Sequence, residues 1–463
     1  MPLIDTIETH FTGPRSDLRS MGIFTVAKIL VQVCSILRYI VFYTIWSGVV
    51  FVLDRLVNGQ PCKWIIKTKI SIINRIPIIG KPIARKLDGC VMFFSDTVLA
   101  KLESIKMFIE TLFQLSIIDM TLKNKNVKLV ITGEKLDFTD AQNRQYTSLL
   151  VSNHRSIMDY VLINYLVQVG SCKELSSRKY LWSKIIPGSK PISTFPKVNF
   201  ITWSKITNFP KLSLLFNILS KDENCSVTPS KIKKHLETHG NSVLAIFPEV
   251  NIITPELSIV QRKLTEEYDL PRLKNLLYPR FKNFISTIKC FARIKHVKRR
   301  DHKFKKVVDK VDKLVNKVKD GNQVNDKEVA QLNMFLCNEA ENATMGAKGT
   351  EQQKFININD SIFDLTIVYY QPILTDDTHT HDHTGQQGDD CHYQLEQITP
   401  SLFQFLGIRN SDSPPIVIRV DVKKHELSQI IQEKERKLEK WLETNWCIKD
   451  KTVDSMESNV KIS

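Results

Sequence analysis

Ser152-Asn153-His154-Arg155-Ser156-Ile157-Met158-Asp159 is the stretch around which the chain is organised. It follows the apolar run Leu149-Leu150-Val151 and places an aspartate five positions after a histidine. A histidine titrates near neutral pH and can take a proton from a hydroxyl. A nearby carboxylate can fix the tautomer of that histidine and stabilise the imidazolium that forms. The stretch therefore predicts a buried strand that delivers a histidine–carboxylate pair.

The spacing of the pair restricts where it can lie. On one ideal helix, five positions separate two side chains by roughly 140°. We therefore expect His154 on a strand-to-helix turn and Asp159 in the first turns of a helix running to about Gly170, with Ser152 or Asn153 as its cap. The same spacing also fits a capped helix with a histidine and an aspartate on its surface, so the pair alone does not indicate catalysis.

A second short motif, which also follows an apolar run, strengthens the functional interpretation. Phe247-Pro248-Glu249 follows another apolar run, Ser242-Val243-Leu244-Ala245-Ile246. Together, Asn-His-four residues-Asp and the later Phe-Pro-Glu resemble the glycerolipid acyltransferase family, which includes the 1-acylglycerol-3-phosphate acyltransferases. The resemblance covers most of the chain from about Val127 to Asp454, apart from two insertions.

The resemblance implies a specific reaction. The chain would move a fatty acyl group from acyl-CoA to a glycerol hydroxyl of a lysophospholipid, either lysophosphatidic acid or lysophosphatidylinositol, in phospholipid synthesis or remodelling. His154 would accept the hydroxyl proton and Asp159 would orient His154. Transfer would be direct, without an acyl-enzyme, and would need no cofactor or metal beyond acyl-CoA as co-substrate. Backbone N–H groups near the helix start would hold the oxyanion.

The resemblance also implies an acceptor site, formed by Asn153, Lys221, Glu249, Asn251 and Arg280. Lys221 stands where the family often has arginine, and it would bind a phosphate as a point charge. A solvated Lys-Asp-Glu turn explains it equally well. Arg280 would pair with a phosphate, and a helix-capping arginine is the alternative.

The Phe-Pro-Glu block departs from the family pattern after its glutamate. Val250 and Asn251 stand where the family usually has Gly and then Thr or Ser. Glycine would allow close approach of the backbone to a phosphate, which Val250 does not. This departure leaves the acceptor headgroup open.

The remaining pattern predicts an α/β fold, with a mixed sheet flanked by helices, over residues 121–288 plus 355–463. Its strands are expected at residues 127–131, 148–151, 178–182, 362–370 and 416–420. Near the C-terminus, one helix face carries apolar side chains that indicate packing and not chemistry: Leu438, Trp441, Leu442 and Trp446.

The first 120 residues differ in composition from the region predicted to form the α/β fold. Residues 1–21 are polar and predict a loose terminus, whereas residues 22–120 predict membrane-anchor and interfacial helices. Ile29 to Leu53 carries a single charge, Arg38, and is long enough to cross a bilayer core of roughly 30 Å. A buried soluble helix is the alternative. We expect the protein at a membrane, in the endoplasmic reticulum, with its catalytic domain on the cytosolic side.

Charge is unevenly distributed along the chain. The formal net charge is +16, and residues 289–319 hold 13 Lys and Arg against 3 Asp and Glu. Residues 289–354 therefore predict a basic helical insertion that lies on an anionic membrane surface. Nucleic acid is the competing partner, but no recognised motif supports it. Residues 375–397 are rich in Asp and His and predict a flexible loop, with metal binding as the weaker alternative.

Overall fold

The computed structural model describes the parts of the chain that form the domain and one N-terminal helix. These parts are residues 23–58, 104–105, 107–123, 127–140, 144–171, 176, 179, 181, 197–201, 217–218, 227–295, 356–374, 393–400, 402–405 and 415–458. The expectations for residues 1–21, for Lys221, and for most of 59–103, 296–355 and 375–392 lie outside them.

A mixed sheet forms the centre of the domain, and eight of its strands lie in the described residues. Their order is β1-β8-β6-β2-β5-β3-β4, with β7 added alongside part of β6. Strands β2 to β6 are parallel where they pair, while β7 and β8 run antiparallel to β6. The bounds are β1 Val127–Gly133, β2 Thr147–Ser152, β3 Val198–Ile201, β4 Asn217–Ile218, β5 Val243–Ile246, β6 Ile358–Leu374, β7 Tyr393–Ile398 and β8 Ile416–Glu426.

Helices cover both faces of this sheet. The helices of the described residues are α1 Ile23–Asn58, α2 107–121, α3 Met158–Gly170, α4 Pro229–His239, α5 Pro255–Tyr268, α6 282–295, α7 Leu402–Phe405, α8 Leu427–Ile430 and α9 Glu435–Ser458. Side chains of α2 and α3 pack in one core, and side chains of α4, α6 and α9 pack in the other.

Strand β2 shows why the sheet needs both layers. Its side chains alternate between the two faces, so that Leu150 enters the α2–α3 core while Leu149 and Val151 enter the opposite one. All six residues of the strand are buried. A strand buried on both faces is the usual component of a parallel sheet between helices.

These elements confirm the predicted α/β fold with a mixed sheet flanked by helices. The strands predicted at 127–131, 148–151, 362–370 and 416–420 are present, as is the C-terminal helix, in which Leu438, Leu442 and Trp446 are buried. The strand predicted at 178–182 is not, because the two described residues there, Lys179 and Leu181, are helical.

Two predicted segment boundaries are wrong. The basic insertion was expected from residue 289, but residues 289–295 belong to α6 and contribute Cys290, Phe291 and Ile294 to the core. The loop expected at 375–397 ends earlier, because its last five residues belong to β7 and pair with β6. In both places a few residues with an apolar or alternating pattern lie next to a strongly charged segment. The composition of the charged segment was extended over them, so the boundary was misplaced.

Helix α1 covers the predicted apolar run at 29–53. Tyr43 packs against the core shared with α2 and α3. Large apolar side chains of the helix are exposed, namely Leu30, Val31, Leu37, Val41, Phe42, Ile45, Val49, Phe51 and Val52. Over the part of the chain that the structure covers, no helix combines the length and the apolar composition needed to pass through a membrane.

Substitution of Gly133, at the end of β1, tests the pairing of β1 with β8. Both Gly133 and Gly240 have a positive φ, of 86° and 82°. A Cβ at Gly133 would overlap the backbone of Val422 in β8, whereas a Cβ at Gly240 would meet nothing within 4 Å. We therefore expect Gly133→Ala to lower the free energy of unfolding by several kcal/mol and Gly240→Ala by about 1 kcal/mol. Urea denaturation of the two variants measures this difference, and equal losses would contradict the pairing of β1 with β8.

Candidate active site

The two sequence motifs meet at one edge of the sheet. Strands β2 and β5 are parallel neighbours, with Val151 opposite Ile246. The histidine loop follows the carboxyl end of β2, and the Phe-Pro-Glu turn follows the carboxyl end of β5. Open α/β sheets place their sites at this edge, because loops from adjacent parallel strands lie side by side there.

His154 and Asp159 are in direct contact. His154 Nδ1 lies 2.9 Å from Asp159 Oδ2, and the side chains are 1% and 0% exposed. His154 lies on the turn after β2 and Asp159 is the second residue of α3, as the spacing predicted. The predicted cap is wrong: the cap position is Ile157, which makes no side-chain cap bond. The Asp159 carboxylate instead binds the N–H groups of the loop.

Four donors surround that carboxylate. Asp159 Oδ2 accepts His154 Nδ1, the backbone N–H of Arg155 at 2.6 Å and that of Ser156 at 2.9 Å. Asp159 Oδ1 accepts the Tyr369 hydroxyl at 2.6 Å. Burial and the Asp159 charge raise the pKa of Tyr369 well above its usual value, so this hydroxyl stays a donor. Because a carboxylate oxygen accepts at Nδ1, these contacts place the proton of His154 on Nδ1 and leave Nε2 as the basic nitrogen.

Several N–H groups at the start of α3, where the oxyanion site is expected, already have hydrogen-bond partners within the loop. The N–H groups of Arg155 and Ser156 donate to Asp159, and the N–H of Met158 donates to the Ser156 hydroxyl oxygen at 3.1 Å. These donors are already used within the loop. They orient Asp159 and the start of α3.

Aromatic rings fix the plane of the imidazole. Phe247 stacks on His154 with ring centroids 4.4 Å apart and an angle of 22° between the planes. Tyr160 contacts the same ring edge-on, with centroids 5.4 Å apart. Phe247 opens the Phe-Pro-Glu block, and the sequence alone does not indicate this contact. Its contact explains why that block begins with an aromatic residue.

Asn153 has a structural role that differs from the predicted one. Its Nδ2 donates to the Ile367 carbonyl at 2.8 Å, and its Oδ1 accepts the Ile367 N–H at 2.7 Å. The side chain is fully buried. Because both ends of the amide bind β6, Asn153 fixes the loop to the neighbouring strand and does not point to an acceptor.

Glu249 connects the second motif to the first. Its Oε2 accepts the backbone N–H of His154 at 2.9 Å, and the backbone of Leu277 also acts on the Glu249 carboxyl. Burial raises the pKa of Glu249 to about 8, against the opposing backbone bond from His154 and the charges of Arg155 and Lys449. The neutral form of the Glu249 side chain is therefore favoured near pH 7.

The other predicted acceptor residues lie around this turn. Arg280 donates its backbone N–H to the Pro248 carbonyl at 2.8 Å, which fixes its loop against the Phe-Pro-Glu turn. Its side chain is exposed, and Asn251 is half-buried two residues after Glu249. The structure thus brings Glu249, Asn251 and Arg280 to the edge where His154 lies. Lys221 falls outside the described residues.

Sequence reasoning missed several residues that contact these groups. Arg155 is buried and donates through Nη2 to the Asn275 carbonyl. Tyr369 of β6 binds Asp159, and Lys449 of α9 acts electrostatically on Glu249. The signal for Lys449 was present, because Lys449-Asp450 interrupts the apolar face of a helix that was interpreted as packing alone.

Comparison with known proteins found no matching family model, no matching curated protein and no matching solved structure. Among the described side chains, no group of three His, Cys, Asp or Glu residues is placed to hold a metal ion. The functional assignment therefore depends on the motifs and on the geometry of the site.

Val250 stands where the family usually has glycine, and its backbone is left-handed, with φ of 68°. Its N–H donates to the Phe247 carbonyl at 3.1 Å and closes the turn that carries Glu249. A β-branched residue is strained in this region. The backbone thus keeps a conformation that glycine adopts easily, although the side chain differs.

Relief of this strain can be measured. We expect the Val250→Gly variant to be at least as stable as the wild type, because the lost αL strain of about 1–2 kcal/mol offsets the greater freedom of the unfolded chain. Asn251→Gly in the same turn is the matched control, and it should lower the free energy of unfolding by about 1 kcal/mol. Equal destabilisation of both variants in urea denaturation would contradict the strained turn.

The raised pKa of Glu249 predicts a pH-dependent stability. Folding favours the neutral carboxyl, so its stabilising contribution is complete below the usual pKa of 4.5 and is lost as pH rises to about 8. Relative to Glu249→Gln, the wild type should lose on the order of a few kcal/mol between pH 5 and 9. Urea denaturation at several pH values measures this loss.

Glu256→Gln is the control for this measurement. Glu256 is fully exposed, and its pKa is lowered by a backbone bond at the start of α5. Because its pKa is lowered, away from the pH range of the measurement, Glu256→Gln should keep the wild-type slope between pH 5 and 9. If the free energy of unfolding of Glu249→Gln changed with pH as steeply as that of the wild type, Glu249 would be ionised in the folded protein between pH 5 and 9.

Proposed function

We propose that this protein is an acyl-CoA-dependent acyltransferase. It would move a fatty acyl group to a glycerol hydroxyl of a lysophospholipid, either lysophosphatidic acid or lysophosphatidylinositol. The observation that carries the proposal is the 2.9 Å contact between His154 Nδ1 and Asp159 Oδ2 at the carboxyl edge of parallel strands. The contact leaves His154 Nε2 as a base of fixed orientation.

In the proposed reaction His154 moves one proton twice. Nε2 takes the proton of the acceptor hydroxyl while the hydroxyl oxygen attacks the thioester carbon. The carbon–sulfur bond then breaks, and the imidazolium gives its proton to the departing thiolate of CoA. The Asp159 carboxylate stabilises the imidazolium between these steps, and its bond to Tyr369 keeps it in place.

Direct transfer is favoured over a covalent acyl-enzyme. Among the residues that the structure describes, the side chain bonded to the His154 ring is Asp159, and no Ser, Thr or Cys side chain donates to it. The two nearest hydroxyls in sequence, those of Ser152 and Ser156, donate to the carbonyls of Asn153 at 3.0 Å and Pro400 at 2.7 Å. A base without a partner nucleophile suits activation of a substrate hydroxyl.

The acceptor phosphate is assigned to the Phe-Pro-Glu side of the site. Arg280 offers an exposed guanidinium next to the turn of Glu249. Lys221 and Asn251 remain proposed partners of the phosphate or glycerol oxygens. The presence of Val250 in place of glycine supports a headgroup larger than a bare phosphate, such as inositol phosphate, because the family's close backbone contact is blocked.

We also propose that the enzyme works on a membrane of the endoplasmic reticulum from its cytosolic side. The exposed apolar side chains of α1 support anchorage to lipid, and the basic segment after α6 would add attraction to anionic headgroups. Both substrates fit this location, because lysophospholipids lie in the bilayer and acyl-CoA is held in the cytosol. A catalytically inactive membrane scaffold of the same fold is the alternative.

An acceptor panel tests the proposal. Membrane fractions with labelled acyl-CoA should acylate at least one of several lysophospholipids, and His154→Ala and Asp159→Asn should lower kcat by about 10²–10⁴-fold, because the base is lost or misoriented. Asp269→Asn is a matched control at an exposed left-handed position and should keep wild-type activity. Thermal unfolding of each variant excludes loss of fold.

Two results would contradict the proposal. Transfer that survives His154→Ala would remove the histidine from the mechanism. Absence of transfer to every lysophospholipid by the folded wild type would favour the scaffold.

A further inference from the structure

The C-terminal helix α9 carries two buried charged residues next to one another. Lys449 is 2% exposed and Asp450 is 7% exposed, although the rest of the inward face is apolar. Burial of a charge is unfavourable unless it is paired and hydrogen-bonded, so a helix that served only to pack would not need them. Lys449 and Asp450 are each connected to the histidine loop, by two separate sets of contacts.

The first connection runs from Lys449 through β6. Its Nζ forms an ion pair with Asp364, donates to the Leu365 carbonyl at 2.8 Å and lies 4.4 Å from the Trp446 ring centroid. Asp364 and Leu365 are the residues of β6 that lie opposite Val151 and Ser152, the last two residues of β2. Lys449 thus fixes β6 where it borders the start of the histidine loop.

Lys449 also acts on the second motif. Its charge favours the ionised form of Glu249, which accepts the N–H of His154. The charged groups around Lys449 are Asp364 of β6, Glu249 after β5 and Lys423 of β8, and His425 of β8 faces Asp364 at 3.7 Å. The Glu249 carboxyl also faces Arg155.

The second connection runs from Asp450 through a loop. Its Oδ1 accepts the backbone N–H of Asn275 at 2.7 Å, and its Oδ2 accepts that of Lys274 at 3.0 Å. The Asn275 carbonyl then accepts the Arg155 guanidinium. Arg155 directly follows His154, so Asp450 orients the loop from the opposite side.

We propose that Lys449 and Asp450 are positioning residues of the acyltransferase site, which hold the backbone of His154 through Glu249 and β6 on one side and through Asn275 and Arg155 on the other. The proposal deepens the proposed function and depends on it for its kinetic consequences. Neither residue touches substrate. Both make the C-terminal helix part of the catalytic unit.

Kinetics of three variants test the proposal. Lys449→Met should lower kcat at least tenfold and leave KM within about threefold, because displacement of a catalytic group slows the chemical step. Asp450→Ala should act in the same way, and Asp450→Asn should fall between it and the wild type, since the amide keeps one acceptor. Lys451→Met, at an exposed position of α9, is the matched control and should leave kcat unchanged.

A double variant separates positioning from stability. Lys449→Met alone leaves the Asp364 charge buried and unpaired, which destabilises the fold. Adding Asp364→Asn removes that charge, so Tm should recover towards the wild-type value while kcat stays low. If kcat recovers together with Tm, Lys449 only stabilises the fold and the proposal is overturned.

A spectroscopic readout does not depend on the substrate. The backbone amide of His154 is bonded to Glu249, so its ¹⁵N chemical shift should follow the titration of that carboxyl. Loss of the Lys449 charge should move the midpoint to higher pH in Lys449→Met and leave it in place in Lys451→Met. An unchanged midpoint in Lys449→Met overturns the inference, whereas a moved midpoint in a protein without acyltransferase activity would overturn only the proposed function.

Discussion

The carboxylate of Asp159 is the interaction on which the rest of the structure depends. It lies in a fully buried position and accepts four hydrogen bonds, from the His154 ring, the Arg155 and Ser156 backbone and the Tyr369 hydroxyl. Removal of any one donor would leave part of a buried charge unsatisfied, which costs more than the bond itself contributes. The loop, the first turn of α3 and β6 are therefore held in one arrangement. The tautomer of the histidine follows from that arrangement.

The sheet explains how distant segments reach this carboxylate. Adjacent parallel strands β2 and β5 end at the same edge, and β6 lies on the other side of β2. The histidine loop, the turn of Glu249 and the Asn153–Ile367 bonds therefore all lie at this edge. The two acidic groups of the site differ in their surroundings, because Asp159 accepts four hydrogen bonds while burial raises the pKa of Glu249 to about 8. This difference arises from local solvation and not from residue type.

Local patterns predicted the fold and the central pair, because both are set by short-range rules. Alternating apolar runs indicated four of the observed strands, and the five-residue spacing placed His154 before a helix and Asp159 within it. The pattern could not show what lies far apart in sequence. Tyr369, Asn275 and Lys449 reach the site through strand pairing and helix packing, and each resembles an ordinary core or surface residue in its own segment. The boundaries of α6 and β7 were also predicted wrongly from composition, because the packed residues there are few and adjoin a strongly charged segment.

The order of the strands has a consequence for synthesis of the chain. β1 pairs with β8 across nearly three hundred residues, β2 pairs with β6, and the contacts of Asp450 come from the last helix. A nascent chain on the ribosome therefore holds its histidine long before the partners of that histidine have emerged. Non-local pairing of this kind slows folding, because a long loop must close before its contacts form. The contacts around His154 are thus completed only after α9 has left the exit tunnel, so this arrangement of side chains forms late in synthesis.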